Sequence, residues 1–194
     1  QVDVLRGAAA IVREIERRGL KKSVIGIPKT IDNDIMYLDK SFGFETAVAE
    51  AVEAIRCAHT EARGAFNGIG LVKLMGRHSG FLACHATLAT SHVNFCLIPE
   101  MPIDETIGAA FFEKLRSRLV ERRHAVVVVA EGTGQERLAD PSARDASGNV
   151  KLVDVGVFLA DRIKSYFKEA GVEHTLKYID PSYIVRSLPA NASD

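Results

Sequence analysis

Lys29, Thr30, Asp32 and Asp34 fall within seven consecutive residues, Pro28-Lys29-Thr30-Ile31-Asp32-Asn33-Asp34, directly after the apolar run SVIGI. A cation, a hydroxyl and two carboxylates at spacing two have no use in a core. Carboxylates hold hard cations through oxygen and lysine neutralises phosphate charge, so the run suits a loop that handles phosphate and metal. The chemistry it implies is phosphoryl transfer. Gly76-Arg77-His78-Ser79-Gly80 adds glycines where backbone approaches a ligand, an arginine fork for phosphate and helix N-terminal amides for an anion. The same residues also read as a helix capped by Ser79 with His78 in solvent. Glu131 follows the aliphatic run AVVVVA, where desolvation or a sugar hydroxyl must account for a carboxylate. Glu100 has the weaker claim, since Pro99 and Pro102 make it equally a turn residue. Tyr183 and Arg186, three apart, offer a hydroxyl and a guanidinium to a phosphorylated sugar, or else pack between domains.

The elements that must position these residues follow from periodicity. Apolar residues at helical spacing predict helices over 6–18, 43–63, 80–90, 104–122 and 153–170. Short apolar runs predict strands over 23–27, 69–75, 94–98, 125–130 and 175–179. Pro28 ends the first strand by withholding an amide from the ladder. Continuous apolar strands alternating with amphipathic helices predict an α/β fold with a parallel sheet sandwiched by helices. The stretch 132–150, rich in glycine, proline and serine, reads as the longest surface loop. In open parallel sheets ligands bind outside the carboxyl ends of the strands. PKTIDND, GRHSG, PE, EGTG and DPSY would then converge on one rim from five strands, although turns use the same residue types.

Composition narrows the function classes. The chain has 194 residues, 47% of them apolar, with 25 basic and 25 acidic side chains. That balance suits one good core and supplies no global field for nucleic acid or an anionic membrane surface. No apolar run reaches the roughly 18 to 20 residues of a membrane span, and no secretory signal opens the chain. Cys57, Cys84 and Cys96 are odd in number and widely spaced, which favours reduced, packed thiols over a disulfide frame or a zinc site. Gln1 is not an initiator residue, and a segment of a longer polypeptide is expected.

Taken together, PKTIDND, SFGFETAVAEAVEAIRCAH, KLMGRHSGFLACHATLA, LIPE, VVAEGTGQ and KYIDPSYIVRSLPANASD resemble the 6-phosphofructokinase family. More narrowly they resemble its branch of plant and trypanosomatid ATP-dependent enzymes and pyrophosphate-dependent relatives. The resemblance runs from about Arg6 to Asp194 and implies Rossmann-like lobes. It implies Asp32 as the base that takes the proton from the 1-hydroxyl of fructose 6-phosphate. Asp34 would help organise Mg²⁺, and Thr30 and Ile31 would contact substrate and the moving phosphoryl group. Arg77 would stabilise charge on that group, with Met75 and Gly76 shaping the sugar site. Glu131 would receive sugar hydroxyls, and Tyr183 with Arg186 would recognise the sugar phosphate. Lys29 would neutralise the donor.

The donor itself stays open. In the family the choice tracks a GGDG or GGDD segment upstream, and this chain begins QVDVLRGAA where that segment should finish. The main metal-binding aspartate is likewise expected upstream of Gln1. The resemblance implies residues 1–30 as the trailing part of a nucleotide-binding lobe and 31–194 as most of the fructose 6-phosphate lobe, its C-terminal closing helices following Asp194. It implies transfer of the γ-phosphoryl of ATP to fructose 6-phosphate in glycolysis, with pyrophosphate as the alternative donor. A non-catalytic binding or regulatory chain is a further alternative. By analogy the protein is a homo-oligomer, a tetramer, located in the cytoplasm or a glycosome-like organelle, with no nucleic acid and no membrane as partner.

Overall fold

Strands β1 (Gly68–Leu74), β2 (Phe95–Leu97), β3 (His124–Ala130) and β4 (Thr175–Ile179) pair in parallel in the order β2-β3-β1-β4. The computed structural model describes residues 2–145 and 148–194. Its helices are α1 (Val2–Arg17), α2 (Phe44–Gly64), α3 (Phe81–Thr90), α4 (Ile103–Thr106), α5 (Ala109–Arg122), α6 (Gln135–Leu138), α7 (Val155–Glu169) and α8 (Ser182–Arg186). β1 and β3 are buried on both sides, and because side chains alternate along a strand they feed two cores. Val72, Leu74, Val126 and Val128 pack with Ala51, Ile55 and Ala58 of α2 and Leu82 and Ala86 of α3. Ile69, Leu71, Val127 and Val129 pack on the other face with Leu115 and Leu119 of α5 and Leu159, Ile163 and Phe167 of α7. The expected helix-covered parallel sheet is therefore present.

Three of the expected elements need correction. Residues 23–27 form no strand: Ile25 is 85% and Ile27 67% exposed, and no ladder with β2 or β4, the sheet's edges, includes them. An apolar run becomes a strand only where a neighbouring strand takes its amides and carbonyls. The rim is accordingly made by four strands, not five. The helix over 104–122 breaks in two at Gly108, whose extended backbone (φ −80°, ψ 179°) turns so close to α4 that a Cβ would lie 1.9 Å from the Asp104 carbonyl oxygen. The loop over 132–150 carries the turn of helix α6 and an antiparallel bridge between Arg144 and Val150.

α1 forms where periodicity predicts it, but Val4 and Ile11 lie 74% and 56% exposed. Its Glu14 pairs with Arg17 and Arg18 of the same helix. No helix is long and apolar enough to cross a membrane among the described residues. All three cysteines are free; Cys84 and Cys96 are half-buried, whereas Cys57 is exposed rather than packed, because it faces outward from α2.

Candidate active site

Strand ends and helix starts bring the polar loops to one edge of the sheet, as parallel βα topology requires. The loop over 28–42 reaches that edge without being a strand. Lys29 and Phe42 form a parallel bridge, with the Thr30 amide donating to the Phe42 carbonyl at 3.0 Å and the Phe42 amide to Pro28 at 2.9 Å. Asn33, in the left-handed region at φ 54°, closes the loop from inside: its Nδ2 donates to the Asp39 carbonyl, and its Oδ1 accepts from the Ser41 amide at 2.8 Å. The Ser41 hydroxyl donates to the carbonyl of buried Thr30 at 2.7 Å, and the Thr30 hydroxyl accepts from the Asp32 amide at 3.2 Å. Polar residues thus hold the loop in one shape.

The loop docks on the turn after β1. Ser79 Oγ donates to the Asp32 carbonyl at 2.9 Å, and this use of the hydroxyl replaces the helix cap that the sequence also allowed. The amide of Gly80, the N-cap of α3, is met by Glu100 instead, whose Oε1 accepts from it at 2.7 Å. Glu100 therefore serves the turn. Gly76 holds φ at 126°, and a Cβ there would lie 2.4 Å from the Ser79 carbonyl oxygen. On the other side of the turn a Cβ on Gly132 would lie 2.3 Å from the Arg77 carbonyl oxygen. Gly76 lets the turn after β1 close on itself, and Gly132 lets the turn after β3 lie against it, more closely than side chains would allow.

Asp32 and Glu131 are the half-buried carboxylates here, and both titrate above the ordinary carboxylate range. For Asp32 the causes are burial and then the charge of Asp34. For Glu131 burial dominates, the Gly76 amide opposes it, and the charge of Asp32 adds to it, so the two carboxylates share one site. Asp34 and exposed His78 line a cavity of about 500 Å³ with Ser79 and Glu100. Arg77 is engaged: its guanidinium donates to the Val150 carbonyl and pairs with Asp145 at 3.2 Å. Met75, half-buried, packs against the α2-side core.

Lys29, Ile31 and Arg186 come together elsewhere, lining a largely apolar cavity of about 380 Å³ with Phe42, Thr46 and Asp194. Tyr183, beside Arg186 on α8, is 82% exposed. Among the described residues no group of three or more His, Cys, Asp or Glu side chains is gathered to hold a metal. Mg²⁺ takes one or two protein carboxylates and fills its shell with water and substrate phosphates, a role that exposed Asp34 fits.

Sequence reasoning passed over one cluster on the same edge. Lys73, 9% exposed in the apolar strand β1, pairs with Asp154 at 2.9 Å and Asp180 at 2.8 Å, and the Tyr178 hydroxyl donates to Asp154 at 3.0 Å. The available signal was a single lysine inside IGLVKLM.

Comparison with known proteins fits this geometry. Residues 6–194 match the family Phosphofructokinase. Over 97% of its length the chain is 53% identical to an ATP-dependent 6-phosphofructokinase of Borreliella burgdorferi and covers 44% of that protein. It is 54% identical to ATP-dependent 6-phosphofructokinase 1 of Arabidopsis thaliana, covering 41% of it. The chain thus spans less than half the length of the curated relatives it matches. A crystal structure of a pyrophosphate-dependent phosphofructokinase from Marinobacter aquaeolei superposes on 96% of the chain and 44% of its own, with a TM-score of 0.65 at 22% identity, a likeness of fold.

Proposed function

This chain belongs to the phosphofructokinase family, and from that membership we propose that it supplies the acceptor half of a 6-phosphofructokinase, in which the γ-phosphoryl of ATP passes to the 1-hydroxyl of fructose 6-phosphate. Residues 1–30 belong to the donor lobe in this reading and 31–194 to the sugar-phosphate lobe. The observation that carries it is the hydrogen bond from Ser79 Oγ to the Asp32 carbonyl, which joins an aspartate pair to an arginine turn 47 residues away. Phosphoryl transfer asks for positioning and charge stabilisation more than covalent help.

Asp32 is the base: it takes the hydroxyl proton as the sugar oxygen bonds to phosphorus and the bond to the departing ADP breaks. Thr30 and Ile31 hold its loop against the substrate, and Asp34 bears on Mg²⁺. Bound there, Mg²⁺ supplies charge neutralisation of the donor phosphates. Arg77 stabilises the moving group, which competes with Asp145 for the guanidinium. Met75 and Gly76 shape the sugar site, Glu131 accepts from sugar hydroxyls, and Tyr183 and Arg186 take the sugar phosphate. Lys29 neutralises the donor and serves pyrophosphate as well as ATP, so pyrophosphate is the second reading. The protein acts as a tetramer in this reading, in the cytoplasm or a glycosome-like organelle.

The test is fructose 6-phosphate phosphorylation by the full-length protein with Mg²⁺ and either donor. Turnover with ATP supports the proposal, and turnover with pyrophosphate alone replaces the donor. Sugar-phosphate binding without turnover identifies a non-catalytic chain.

A further inference from the structure

Lysine is almost never buried without a partner, and replacing a buried ion pair by apolar residues is often neutral or stabilising. Lys73 therefore needs a reason beyond stability. It lies in β1, the strand that leads into Met75, Gly76 and Arg77. One of its partners, Asp154, is the N-cap of α7 and accepts from the Val157 amide at 3.1 Å, at the end of the segment whose Asp145 and Val150 hold Arg77. The other, Asp180, follows β4 and accepts from the Ser182 amide at 3.1 Å, fixing the start of α8, which carries Tyr183 and Arg186. Tyr178 closes the set through Asp154, and its ring lies so near α7 that a Cβ on Gly156 would meet it at 2.4 Å. Glu131, on the neighbouring strand end, feels the Lys73 charge.

We propose that Lys73 is a positioning residue for the acceptor site, one ammonium that ties the entry to α7 and the entry to α8 to the strand that presents Arg77. The tie rests on the reading of this site as a fructose 6-phosphate site. Its two carboxylates repel each other once the cation is gone, so both segments shift together while the apolar cores on either face stay filled. Lys73 touches no reacting atom in this scheme and acts through Arg77, Tyr183 and Arg186.

The experiment compares wild-type, Lys73→Met and Lys73→Arg in the full-length protein. Lys73→Met is expected to raise the KM for fructose 6-phosphate about tenfold or more with a smaller effect on kcat, as misplacement of binding groups does. Amide exchange over 154–157 and 180–187 should quicken, and Lys73→Arg should recover most of the affinity and the protection. Unchanged KM, or a loss that tracks the melting temperature and is not recovered by arginine, overturns the proposal. If Lys73→Met does not fold, Asp180→Asn must raise KM in the same way, and its failure to do so overturns it equally. A wild-type protein inactive with both donors removes the functional reading. Calorimetry with fructose 6-phosphate then decides: weaker binding by Lys73→Met sustains the positioning role, and equal binding or none overturns it.

Discussion

Asp32 is placed to be a better base than its residue type suggests. A free aspartic acid has a pKa of about 3.9, too low to hold an alcohol proton for long. Burial and the neighbouring Asp34 charge both raise it, and a loose transition state asks for little proton transfer early. If Asp32 is the base proposed above, Asp32→Asn keeps the shape and removes that base, so kcat should fall by about 10² to 10⁴ while fructose 6-phosphate binding is retained. Steady-state kinetics beside calorimetry checks this, and near-normal turnover removes Asp32 from the role. In the same proposed reading Arg186→Ala deletes a charge-assisted contact with the sugar phosphate worth about 1.5–3 kcal/mol, expected as a KM increase of tenfold or more at little cost in kcat. A fall in kcat at constant KM would assign Arg186 to the transition state instead.

At the scale of elements, the site is a meeting of turns whose backbones nearly touch. Gly76 between β1 and α3 has both a positive φ and a carbonyl oxygen in the space a side chain would take. Gly76→Ala should cost about 1–3 kcal/mol in backbone strain and displace Ser79 from the Asp32 carbonyl. Thermal unfolding together with turnover tests it: both should drop, and a variant with parental values in both shows that the turn tolerates a different geometry. The long segment after β3 matters at this scale too. Its Asp145 and Val150 hold Arg77, so the guanidinium is oriented from that segment.

The whole molecule depends on two cores sharing one sheet. Phe167 is fully buried on the α5 and α7 face, and Phe167→Ala should lower the unfolding free energy by about 3–5 kcal/mol in urea titration. Acid should weaken the fold in a definite direction. Burial alone would raise Asp154 and Asp180, but the bonds from Lys73, joined by those from Val157 and Tyr178 on Asp154 and from Ser182 on Asp180, outweigh it and hold both carboxyls below the ordinary range. Their contribution is therefore present above the unfolded value near about 4 and lost as pH falls toward the folded values. Melting temperature followed from about pH 6 down to about pH 3 should decline, and more shallowly in Lys73→Met, where the carboxyls lose the ammonium that helps hold them down. An identical slope in both proteins assigns the acid sensitivity to other groups.

What local pattern governs was legible in the chain alone. The 3.6-residue stripe of α2 and the aliphatic run of β3 announce themselves because each buries the residues its own periodicity exposes to a core. The candidate residues Asp32, Arg77 and Glu131 stood out in the chain too, since charged types following apolar runs are unsuited to a core. Tertiary structure decided the rest. SVIGI has the composition of a strand, yet a strand exists only where a neighbour completes its hydrogen bonds. Ser79 has the place of a helix cap, yet its hydroxyl goes to a carbonyl 47 residues earlier. Lys73 is one cation in an apolar run until β4 and α7 bring two carboxylates to it from 81 residues away and beyond. Periodicity reports which face of an element is buried; which distant groups meet there is set by how the sheet orders its strands.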